Sequence, residues 1–88
     1  MKFDSTLVEA DGKSIHIVAV DTNFFNMPMP EQGALLREFV KYFNMQPVVL
    51  IGVNPAGDMQ YYGRPDLTEA VSRLQFSEFQ WTTNEIAD

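Results

Sequence analysis

The apolar positions of this chain change their period several times, and each change marks an element. Residues 3 to 10 alternate loosely between apolar and polar and lead into Asp11-Gly12. That dipeptide supplies the positive φ angles of a type I′ turn, so residues 14 to 21 read as the return strand of a hairpin. A two-residue turn pairs Ala10 with Lys13, Val8 with Ile15 and Leu7 with His16. Ile15 and Ile17 point to one face while Val18 and Val20 point to the other. A strand apolar on both faces belongs inside a sheet, so the second strand is expected to be central.

After Asp21 and an irregular stretch, Pro30-Glu31-Gln32 opens a helix, with proline at the first helical position and an acid at the positive end of the dipole. Leu35, Leu36, Phe39, Val40 and Phe43 form one broad apolar stripe, and Arg37, Glu38 and Lys41 occupy the opposite side. Lys41 and then Asn44 suit its C-terminus. Gln46-Pro47 stops the helix, and Val48 to Val53 is a continuous apolar run, expected as a strand buried on both faces. Residues 54 to 58 (Asn-Pro-Ala-Gly-Asp) fit a type I turn with Gly57 left-handed, and Met59 to Tyr62 returns as a fourth strand. Gly63-Arg64-Pro65 breaks it. Asp66-Leu67-Thr68-Glu69 has the capping-box pattern with Asp66 as cap, and Leu67, Ala70, Val71 and Leu74 give a second, shorter amphipathic helix. Phe79, Trp81 and Thr83 then alternate with Glu78, Gln80 and Thr82 as a half-exposed last strand.

The expected fold is therefore α+β, a single domain over residues 1–88 with the order ββαββαβ. It is a mixed sheet of about five strands with two helices packed on one face. The expected core is Val8, Ile15, Ile17, Leu35, Leu36, Phe39, Val40, Phe43, Val49, Ile51, Leu67, Val71, Leu74 and Phe79. From Ile15 to Leu74 the order strand, helix, strand, hairpin, helix resembles the C-terminal part of a thioredoxin-type domain, with Gln46-Pro47-Val48-Val49 where that family has a proline entering its third core strand. The resemblance implies a sheet order. The chain lacks CxxC, a first βα unit and any Cys, so the family's redox activity does not carry over.

Composition narrows the chemistry. Without cysteine, thiol catalysis, disulfides and Cys-ligated metals are excluded. Twelve acidic against six basic side chains give a net charge of -6, a field that repels phosphate and argues against nucleic-acid partners. The charged opening Met1-Lys2-Phe3-Asp4 is unlike a secretory signal, and the run from Pro47 to Val53 is far too short to span a bilayer. No membrane association and a cytoplasmic location are expected.

His16 is the lone histidine, readable as a general base or as a mid-strand residue beside Val18. No nucleophile pattern accompanies it, so the structural reading is preferred. One His and scattered carboxylates make no metal site, no glycine series cradles phosphate, and no cofactor is expected. The unusual segment is residues 23–30. It carries Phe24, Phe25, Met27 and Met29 where loops are normally polar, and reads either as a lid over a thin core or as a presented patch. Tyr62, Arg64 and Trp81 are of the types that dominate interface energy. The expected function is a small acidic protein-interaction module, accessory or inhibitory, without catalytic activity. It would bind a protein partner through these seven residues and form a homodimer. One alternative is a small-molecule binder or small enzyme whose pocket between sheet and helices includes His16 and Tyr61. Another is a homo-oligomeric structural protein paired through its last strand or through the apolar 24–30 loop.

Overall fold

The computed structural model describes residues 2–53, 56–75, 77 and 79–86. Its strands are β1 (Lys2–Ala10), β2 (Lys13–Ala19), β3 (Val48–Val53), β4 (Met59–Tyr62) and β5 (Thr82–Glu85). Its helices are α1 (Met29–Tyr42) and α2 (Pro65–Ser72), with a short 3-10 helix over Thr22–Asn26. The strands form one mixed sheet in the order β4-β3-β2-β1-β5. Neighbours are antiparallel except β2 and β3, which are parallel and joined through α1. The class is α+β and the element order is ββαββαβ.

The hairpin follows from its turn. Asp11 and Gly12 take φ angles of 52° and 74°, and the register runs through Ala10–Lys13, Val8–Ile15 and Leu7–His16. β2 lies at the centre of the sheet. Pro47 immediately precedes β3. Of the loop expected at 54–58, Asn54 and Pro55 lie outside the described residues. Gly57 has the left-handed φ of 90° that such a loop requires.

The two helices do not share a face. β3 alternates sides residue by residue, and both sides are covered. Val48 and Leu50 pack with Phe3, Val18, Phe24 and Phe39 on the α1 side, whereas Val49 and Ile51 pack with Ile15, Ile17, Leu67 and Val71 on the α2 side. The physical reason lies in β3 itself. Four successive apolar residues expose apolar surface on both faces of the strand unless something covers each one. Two half-cores result, and Val18, Val48, Leu50, Phe3 and Phe24 join the expected core members. Tyr61 and Tyr62 are each half-buried, one in each half-core.

Three boundaries differ from expectation. α1 starts at Met29, with Pro28 as its cap, so Met29 belongs to the helix rather than to the loop. α2 is capped by Arg64 and starts at Pro65, because the fixed φ of proline already suits the first helical position. Asp66 consequently sits in the first turn and turns its carboxylate to Lys13 and Arg64 at 3.1 and 3.0 Å. The last strand begins at Thr82, where residues 82–85 find an open edge along β1. Phe79 instead packs on the α2-side core with its ring 6.0 Å from that of Trp81, and Trp81 precedes the strand. Glu78, part of the expected alternation, lies outside the described residues.

Candidate functional site

Residues 21–30 behave first as a lid. Asp21 caps the 3-10 helix by accepting from the Asn23 amide at 2.9 Å, which turns Phe24 inward. Phe24 is 3 % exposed and meets Phe25 and Tyr62 edge-on at 5.1 and 5.4 Å. Phe25 lies across Gly52, the one position of β3 without a side chain, and Met27 is half-buried beside them. The buried amide of Gln32 fastens the segment by donating to the carbonyls of Phe25 (3.3 Å) and Met27 (2.8 Å). The sequence pattern places Gln32 only at the helix start. A lone polar residue on the inner face of an amphipathic helix was the available signal.

The seven interface candidates therefore separate. Phe24, Phe25, Met27 and Tyr62 pack into the α1-side core. Met29 is exposed at the start of α1, and Arg64 is exposed and paired with Asp66. Trp81 lies on the other face of the sheet. The two pocket candidates separate as well. Tyr61 packs on the α2 side, whereas the His16 ring stacks on Phe43 at 4.0 Å and bonds through Nε2 to Gln46 Oε1 at 2.6 Å, on the α1 side. His16 and Tyr61 face opposite sides of the sheet and so do not share a pocket between sheet and helices among the described residues.

What the structure does assemble is an apolar groove of about 380 Å³ on the α2 side, at the carboxyl ends of β2 and β3. It is lined by Ala19, Val20, Ile51 and Gly52, by Val53 and Met59 and by Trp81, with Thr22 of the 3-10 helix as its polar member. Val53 is 41 %, Met59 36 % and Trp81 40 % exposed. The other large apolar side chains with comparable exposure (Leu7, Met29, Tyr42 and Met45) do not line it. Val53 and Met59 were absent from the candidates, because a strand end followed by a hairpin loop carries no signal of what covers it. A second cavity of about 400 Å³ opens on the α1 side, between Phe3, Phe24, Met27, Leu35 and Phe39, with Lys2, Asp21 and Asn23 at its mouth.

Among the described residues no group of three or more His, Asp or Glu side chains is placed to hold a metal ion, and no helix is long and apolar enough to cross a membrane. No family model matches the chain, and no curated protein or solved structure matches it significantly.

Proposed function

We infer that this chain is a small acidic docking module that binds a protein partner over the groove walled by Val53, Met59 and Trp81. One observation carries the reading. Three exposed apolar side chains from three separate segments converge on a concave, almost wholly apolar surface, whereas single exposed apolar residues need no explanation. Trp and Met suit the task, the first as a rigid anchor and the second as an adaptable wall. The small-molecule alternative finds its best place in the α1-side cavity, but His16 is engaged elsewhere with Phe43 and Gln46.

The test is site-specific photo-crosslinking in extract of the source cells. A photoreactive phenylalanine analogue is placed at Met59, at Trp81 or at Leu7, an exposed apolar position outside the groove. Positions 59 and 81 should label the same protein, position 7 should not, and Val53→Lys should abolish the labelling while leaving the fold intact. Equal labelling from all three positions, or none from 59 and 81, overturns the reading.

A further inference from the structure

The groove differs from the rest of the surface in charge as well as polarity. The strand registers bring four acids to its end of the sheet. Asp4 lies opposite Ala19 of the groove, Asp21 follows Val20, Asp58 precedes Met59, and Glu85 lies opposite Lys2, the single cation there among the described residues. Most of the other cations are held at the far end, around the hairpin turn and α2. Lys13 and Arg64 pair with Asp66, and Arg73 pairs with Asp11 at 2.6 Å and Glu69 at 3.5 Å. Arg37 and Lys41 lie on α1, across the sheet.

An apolar groove at an acidic end of the sheet is complementary to a partner that is apolar at its anchor and cationic beside it. We propose that the occupant of the groove is a basic protein segment. It sets one apolar side chain against Trp81 and flanking lysines or arginines toward the acids at the strand ends. This rests on the docking reading above. A second copy of the chain is disfavoured as occupant, because it sets the same acidic end against itself on a chain whose net charge is -6.

The probes are three end-blocked twelve-residue peptides that share a leucine anchor and differ only in their flanks, which are lysine, glutamine or glutamate. Trp81 is the sole tryptophan, so its emission reports the groove directly, and the amide resonances of Val53 and Met59 locate the contact. The lysine peptide should shift the emission saturably and bind at least about tenfold more tightly than the glutamine peptide, with the glutamate peptide weaker still. The advantage should collapse near 0.5 M salt, where the screening length falls to a few ångströms. Asp58→Asn combined with Asp21→Asn, which retains a capping side chain, should reduce the lysine advantage several-fold without unfolding the protein. Equal binding of the lysine and glutamine peptides overturns the basic partner and leaves the docking groove standing. If no peptide moves Trp81, Val53 or Met59, both readings fall. A light-scattering mass that doubles with concentration while Trp81 becomes shielded without peptide assigns the groove to a second copy and overturns the proposal.

Discussion

Replacing Gly52 by alanine probes how the 21–30 segment is seated. Gly52 has no positive φ, so its backbone admits a side chain, and the obstacle is purely steric. An added Cβ would stand 2.7 Å from Cε2 of Phe25 and 3.1 Å from the carbonyl oxygen of Val20, where ordinary contact begins near 3.4 Å. The Phe25 ring must give by most of an ångström. The Val20 carbonyl cannot follow cheaply, because its residue's amide is bonded to the Ile51 carbonyl at 2.8 Å. Overpacking of this kind costs about 1–3 kcal/mol, and displacing the ring also loosens its edge-on contact with Phe24. Against this, alanine stiffens the unfolded chain and returns about 0.5–1 kcal/mol.

The net expectation is a loss of about 1–2 kcal/mol, or roughly 5–15 °C in Tm for a domain of this size. Urea unfolding followed by circular dichroism measures it. The decisive comparison is a double-mutant cycle with Phe25→Ala. Removing the ring should absorb much of the Gly52→Ala cost, so the two substitutions together should be milder than their sum by about 1 kcal/mol. A Gly52→Ala protein as stable as the parent, or a cycle with no coupling, would refute the seating of Phe25 on Gly52.

Phe39 is 2 % exposed and meets the Phe3 ring at 4.9 Å, so Phe39→Ala should cost about 3–5 kcal/mol in the same unfolding assay; a loss below about 1 kcal/mol contradicts the helix face assigned to it. Met45 is largely exposed yet held at a φ of 66°, directly after Asn44 at 58°. Met45→Gly should remove that strain and leave a gain of about 0.5 kcal/mol after glycine's own entropy cost, and a clear destabilisation would show that Met45 contributes packing instead. The hydrogen bond from Lys13, together with the charges of Arg64 and Lys13 and against a smaller desolvation effect, holds the Asp66 carboxyl below its ordinary value of 3.8. A lowered folded value means the stabilisation is present above the unfolded value and is lost as pH falls through the folded one. Acid titration of stability should therefore be shallower in Asp66→Asn below about pH 4, and an unchanged acid limb would assign the ion pairs no role.

Where local chemistry decided the outcome, the amino-acid sequence was legible. Asp11-Gly12 dictates a turn whose register then follows for every pair of β1 and β2, and the Leu35–Phe43 stripe dictates the buried side of α1. The placement of α2 was not local. Element order does not say which face a helix covers, although the unbroken run Val48-Val49-Leu50-Ile51 already required cover on both. Trp81 shows the same limit from another side. A period of two marks residues able to form a strand, but pairing begins only at Thr82, where an edge is within reach. The candidate site was legible by residue type and not by address. Phe24 and Phe25 carried the apolar signal of the loop inward, and of the seven interface residues Trp81 alone reached the groove.

The groove itself follows from where α2 is held. Both ends of α2 are tied to the hairpin end of the sheet, Asp66 to Lys13 and Arg73 to Asp11. From there α2 covers Val49 and the Ile15–Ile17 stretch and leaves the Val53 end of β3 without a helix. Phe79 and Trp81 cover part of what remains, and the rest is left as the groove. An uncovered apolar strand end would ordinarily invite association between copies. Here the same end of the sheet carries Asp4, Asp21, Asp58 and Glu85, so two identical molecules approaching groove to groove bring like charge together. On the proposed reading, apolar exposure and acidic charge act together, the charge disfavouring a second copy and favouring a cationic partner at the same apolar surface.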